Sequence, residues 1–163
     1  MTIAELNALD HAAFVRAIGG VFEDSPWVAE RAWHARPFHS LDDLHRAMTD
    51  EVERATAAEQ LTLLRAHPDL GGRARMSAAS TEEQAGAGLD SLTPDEFEIF
   101  HELNRAYHAR FGFPFLFAVK GCTKHDILAA LSARMESSAD EELRQALREV
   151  YRIAWFRLEN ILP

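Results

Sequence analysis

The sequence predicts an all-α protein on three observations. Ser or Thr recurs three residues ahead of an acid, apolar residues return every three or four positions, and the alternating pattern of strands is nearly absent. The hydroxyl–acid pairs are Ser40 and Asp43, Thr56 and Glu59, Ser80 and Glu83, Thr93 and Glu96, Thr123 and Asp126, and Ser138 and Glu141. In each, the hydroxyl can accept from a free N–H at a helix start while the carboxylate accepts from the cap residue's own N–H. Pro26 after Ser25, and Pro94 after Thr93, suit a first helical position, where no N–H is needed.

In chain order, Leu41, Leu44 and Met48 form one apolar face, and Phe97, Phe100, Leu103, Tyr107 and Phe111 form another. Ile127, Leu128, Leu131 and Met135 follow. Leu143, Leu147, Tyr151, Ala154, Leu158 and Ile161 line the last helix. Stops are expected at Gly19-Gly20, Pro37, Pro68 and Gly112. The reading yields about eight helices. The apolar run at 113–119 is too brief for a helix of its own. No repeat, low-complexity tract or linker breaks the chain, so residues 1–163 are expected to form a single compact domain. At this length roughly 70% of the extended-chain surface is buried on folding, enough for a core without staples.

Composition narrows the function classes. The formal net charge is −9, a field that repels nucleic acid. A small anionic substrate would need a local cluster of donors. Cys122 is the single cysteine. It cannot form an internal disulfide or build a cysteine-based zinc site, and it is expected to be a small buried residue in a reducing compartment. No stretch approaches the roughly 20 apolar residues of a membrane span. The first residues read as lacking a secretory signal, and the last as lacking a peroxisomal tripeptide. The expectation is a cytoplasmic protein with neither nucleic-acid nor membrane partners.

Two segments are irregular enough to carry chemistry, residues 67–80 and 111–123. His67 precedes Pro68, which restricts its backbone and can hold the imidazole in one direction. Imidazole titrates near neutrality and suits proton transfer. A histidine stabilised by the end of a helix dipole is the other reading. Glu83 is either the acid of a capping box or a group beside a helix start that can hold an anion or polar ligand. Gln84 both donates and accepts, as recognition of a urea group requires. Gly112 is expected to cap a helix, and Pro114 prevents its continuation. The backbone groups beyond must then bond another segment, water or a ligand, unless the run is an apolar plug. Lys120, Arg73, Arg75 and Arg157 are candidate partners for a carboxylate. Glu98 and His101 have metal-motif spacing but lie on the polar side of their helix, and the further inward-facing carboxylates of a di-metal bundle are absent from the pattern. No metal is expected. Walker, dinucleotide and nucleophile-elbow motifs are absent.

The ordered motifs resemble one known family. They are His67-Pro68-Asp69-Leu70-Gly71-Gly72-Arg73, Ser80-x-x-Glu83-Gln84-x-Gly86-Ala87-Gly88-Leu89, Leu103-Asn104-x-x-Tyr107, Arg110-Phe-Gly-Phe-Pro-Phe115, and a last helix with Glu149-Val150, Ile153-Ala154 and Arg157-Leu158. Phe22 to Trp27 and Arg36-Pro37-Phe38 extend the likeness over nearly the whole chain. The family is the OHCU decarboxylases, which release CO2 from 2-oxo-4-hydroxy-4-carboxy-5-ureidoimidazoline to give (S)-allantoin. The resemblance implies an all-α homodimer with no cofactor and a small ureido-imidazoline substrate. It places the catalytic histidine on His67, and the chemistry of the reaction makes Glu83 the expected second acid–base group. Substrate contacts fall on Pro68, on Ser80, Thr81, Glu82, Glu83 and Gln84, and on Phe115, Leu116, Phe117, Ala118 and Val119. Two departures are a short loop between His67 and Ser80, and Lys120 where arginine is common, which removes a bidentate grip.

Three other readings compete: a decarboxylase of the same fold acting on a related ureido acid, a helical binding module without chemistry, and a helical metal oxidoreductase.

Overall fold

The computed structural model describes all residues, 1–163, and contains nine α-helices, one 3-10 helix and no strand. The all-α expectation holds. The extra helix is at the N-terminus, where Thr2 and Glu5 form a reciprocal capping box for α1 (Ile3–Ala8) and Asp10 caps α2 (His11–Ile18). Contacts group the chain into two compact units, one of residues Met1–Ala66 with Tyr151–Pro163, the other His67–Val150.

The first unit holds α1, α2, α3 (Trp27–Ala32) with its 3-10 extension Trp33–Ala35, α4 (Leu41–Arg54), α5 (Ala57–Arg65) and the end of α9 (Ala139–Ile161). Its side chains Phe14, Ile18, Phe22, Leu44, Met48, Leu63 and Leu64 are fully buried. The Asn7 amide closes a local frame, donating to the Phe38 carbonyl at 2.7 Å and accepting from the Phe38 N–H at 2.9 Å. Leu41, expected on the apolar face of α4, is half-buried, and Val52 takes the buried place further along the same face.

The second unit holds α6 (Ala78–Gly86), α7 (Pro94–Phe111), α8 (Lys124–Arg134) and the start of α9. The boxes at Thr93/Glu96, Thr123/Asp126 and Ser138/Glu141 form as expected. Gly112 ends α7 with φ 79°, a left-handed conformation that favours glycine. The α6 expectation is corrected: its cap is Ser77, whose side chain accepts from the Ser80 N–H, so Ser80 lies inside the helix and Ser80/Glu83 is not a capping box. Cys122 is half-exposed rather than buried, at the end of a turn in which its N–H donates to the Val119 carbonyl.

Glu96 also meets Lys124 at 2.7 Å, linking the starts of α7 and α8. Lys124 and the Thr93 cap hold the Glu96 carboxyl down to about 2. A depressed carboxyl stabilises the fold above its unfolded value and loses that contribution as pH falls through the folded value. The melting temperature is therefore expected to drop between pH 5 and pH 2, with a shallower slope in Glu96→Gln. Identical slopes would contradict this linkage. Because the pair is at the surface, its size should shrink in high salt.

Candidate active site

The residues expected to be catalytic or to contact substrate, from His67 to Val119, all lie in the second unit. His67 is its first residue, just past the α5 cap at Ala66, and is buried at 7% exposure. Pro68 is half-buried beside it. The loop that follows is held by two buried amides. Gln84 of α6 accepts from the Gly71 N–H at 2.9 Å and donates to the Asp69 carbonyl at 3.1 Å. Asn104 of α7 donates to the Leu70 carbonyl at 2.8 Å. Three consecutive residues of the loop are thus fixed by side chains from two helices, and an isolated apolar count of α7 passes over Asn104 entirely. Gly71 is required here: its φ is +72°, and a Cβ would stand 3.0 Å from Leu92 and 3.2 Å from the Phe100 ring.

The Gln84 amide therefore bonds the protein's own backbone through one N–H and through its oxygen, which leaves its second N–H outside these two bonds. On the same helix Ser80 is buried, one turn before Gln84, and Glu83 is half-buried next to that face. Thr81 and Glu82 are exposed, and the Thr81 hydroxyl donates back to the Ser77 carbonyl. Since α6 begins at Ala78, its uncapped N–H groups are at the first helical positions and not at Ser80 to Gln84. Gly88, with φ 78°, closes α6 by letting the Leu89 N–H return to the Gln84 carbonyl at 2.9 Å.

The strip 115–119 has no regular secondary structure. Phe115, Leu116, Ala118 and Val119 are buried, while Phe117 is half-buried. Its backbone makes two hydrogen bonds within the protein, and in both it accepts: the Leu116 carbonyl from Arg134, and the Val119 carbonyl from the Cys122 N–H. None of its N–H groups donates within the chain. Buried donors left in this state need water or a ligand, since each lost partner costs about 1–3 kcal/mol. Phe115 packs edge-on against Tyr107 at 5.4 Å and stacks with Phe117 at 5.9 Å, so the donors sit among aromatic walls.

The candidate cations divide. Arg157 belongs to the first unit and is paired with Glu23 at 2.8 Å. Arg73 is exposed, with its guanidinium 3.8 Å from the Phe97 ring. Arg75 and Lys120 are exposed. Glu98 and His101 are part of no group of three or more potential metal ligands.

A family model described as OHCU decarboxylase matches residues 7–159. The chain is 51% identical over 158 residues to the 2-oxo-4-hydroxy-4-carboxy-5-ureidoimidazoline decarboxylase of Haloferax volcanii, covering 97% of this chain and 94% of that protein. It is 50% identical over 161 residues to the uric acid degradation bifunctional protein PucL of Bacillus subtilis, covering 99% of this chain but 33% of that one. Among solved structures it matches an (S)-allantoin synthase with a TM-score of 0.82 and 34% identity, over 99% of this chain and 54% of that chain. It also shares the fold of an OHCU decarboxylase crystallised in the presence of (S)-allantoin, with a TM-score of 0.69, 22% identity, and coverage of 82% of this chain and 89% of that one. With the motifs around His67, Ser80 to Leu89 and Arg110 to Phe115 all inside the matched span, the chain belongs to the OHCU decarboxylase family.

Proposed function

We propose that this protein decarboxylates 2-oxo-4-hydroxy-4-carboxy-5-ureidoimidazoline, releasing CO2 and forming (S)-allantoin in urate degradation. The observation that carries the reading is the buried strip of undonated N–H groups in the same unit as a buried histidine, in a chain matched over residues 7–159 by this family.

The chemistry follows from the substrate. Breaking the bond to CO2 leaves an electron pair on a ring carbon adjoining a C=N group. The imine accepts that pair, and the resulting enol-like intermediate is protonated on one face. The protein's part is placement and charge stabilisation. His67 handles the hydroxyl proton or delivers a proton to the ring. Glu83 is the second acid–base group, and Pro68 and Ser80 line the substrate. Thr81 and Glu82 contribute through the position of their helical turn rather than through their exposed side chains. Gln84 supports the site by fastening the loop after His67. The N–H groups of residues 115–119 donate to substrate oxygens, and the rings of Phe113, Phe115 and Phe117 keep the carboxylate in dry surroundings, which favours its departure as neutral CO2.

The same proposal includes a homodimer in the cytoplasm, with light scattering reading the oligomeric state. No helix is long and apolar enough to cross a membrane. The deciding experiment generates OHCU in situ with urate oxidase and 5-hydroxyisourate hydrolase and follows (S)-allantoin by circular dichroism. Added protein should accelerate its appearance in proportion to concentration. An unchanged spontaneous rate, or a racemic product, would overturn the assignment.

A further inference from the structure

We propose that Arg134 is a positioning residue that aims the backbone donors of the strip 115–119, resting on the reading of that strip as substrate-binding. Arg134 ends α8 and is nearly buried, with its side chain 12% exposed. One guanidinium makes three contacts at once. Nε donates to Glu142 Oε1 at 2.6 Å, Nη1 donates to the Leu116 carbonyl, and the group lies 4.5 Å from the centre of the Phe115 ring. Glu142, at the start of α9, is fully buried and also accepts from the Tyr107 hydroxyl of α7. Burial and the Glu142 carboxylate push the Tyr107 hydroxyl well above the usual phenol range, so it remains a donor. Three helices and the strip therefore meet at one buried ionic group.

Stability alone is a poor account of this group. A buried ion pair loses hydration, and apolar residues of similar volume are often as good. Glu142 Oε2 is buried with no hydrogen-bond partner, so the carboxylate is not fully satisfied either. What an apolar replacement could not supply is direction. The Leu116–Phe117 peptide is trans, because the only cis bond is Arg36–Pro37. In a trans peptide the carbonyl and N–H point opposite ways. Holding the Leu116 carbonyl on Arg134 therefore turns the Phe117 N–H to the other side of the strip. Phe117 is also the one strip residue that is not fully buried. The ends of the strip are held as well, by the left-handed Gly112 and by the turn from Val119 to Cys122, where Gly121 has φ 77°. Arg134 fixes the middle.

Lysine at 134 keeps the charge for Glu142 but lacks the planar fork that reaches Leu116 and Phe115 together. Arg134→Lys should fold, with KM for OHCU raised about tenfold or more and kcat within about threefold, the signature of lost substrate binding. Amide hydrogen exchange in a peptide covering residues 115–119 should quicken about tenfold or more. Ile127→Ala, in the core on the same helix, is the stability control: it should lower the melting temperature with KM near the parental value. A parental KM and parental exchange in Arg134→Lys would overturn the proposal, as would an equal KM change in Ile127→Ala. If the parent protein does not turn over OHCU, the proposed function falls, while the exchange comparison still decides whether Arg134 orders the strip. Should Arg134→Lys not fold, the neutral pair Arg134→Gln with Glu142→Gln is measured in its place, with the same expected changes.

Discussion

Replacing His67 with asparagine is expected to lower OHCU turnover by about 10²–10⁴-fold, the range for losing one general acid–base group. The variant should remain folded. Asparagine keeps a polar side chain of smaller size at a residue buried at 7% exposure, and Gln84 and Asn104 hold the loop beyond it. Asparagine can hydrogen-bond but cannot carry a proton at neutral pH. The loss should therefore appear in kcat, measured with OHCU generated in situ, with an unchanged far-ultraviolet spectrum and a melting temperature close to the parental one. Turnover within about threefold of the parent would remove His67 from the mechanism.

A second large effect is expected in the first unit. Arg157 and Glu23 form a pair whose side chains are 7% and 2% exposed, and Arg157 also donates to the Gly20 and Val21 carbonyls at 3.4 Å. Arg157→Met removes the arginine from a buried carboxylate. Breaking such a pair costs about 3–5 kcal/mol, a large share of the stability of about 5–15 kcal/mol typical of a folded protein. For a chain of this size the melting temperature should fall by about 10 °C. Replacing both partners, Glu23→Leu with Arg157→Met, should recover part of the loss because the Glu23 carboxylate is then no longer buried without its arginine. Urea unfolding of the two single variants and the double variant tests this. A loss below about 1 kcal/mol in Arg157→Met would show that Glu23 is held well enough by its other surroundings.

These two cases show how much of the site could be read from residues alone. His67 was legible because proline follows it and glycines follow that, a local pattern that announces a constrained loop. The strip was legible because Gly112 and Pro114 forbid a helix over a run of apolar residues. Gln84 is legible as an amide that both donates and accepts, but not its partners within the protein, the Asp69 carbonyl and the Gly71 N–H. Asn104 is legible only as a letter of a motif, although it is buried on the core face of α7 together with Tyr107, which the apolar spacing does place there. Arg134 left no signal, since a basic residue in the last turn of a helix is ordinary. Among the buried charges of α9, Glu142 is equally silent in a helix read by its apolar spacing, whereas Glu149 and Arg157 stand in the family motif without any sign of their burial.

The start of α6 marks the boundary between the two kinds of information. The spacing of Ser80 and Glu83 points to Ser80 as the cap on local grounds. The fold uses Ser77, which leaves Ser80 inside the helix and puts it on the buried face with Gln84. The sequence by itself determined where most helices begin and end, because capping, glycine and proline act over four or five residues. It also determined that His67 and the strip 115–119 are irregular and chemically able. Only the tertiary structure decided which buried polar groups meet, as in Gln84 with Gly71, Arg134 with Leu116, and Arg157 with Glu23. A buried donor or charge is settled by whichever acceptor the fold brings within about 3 Å, and that acceptor can lie anywhere along the chain.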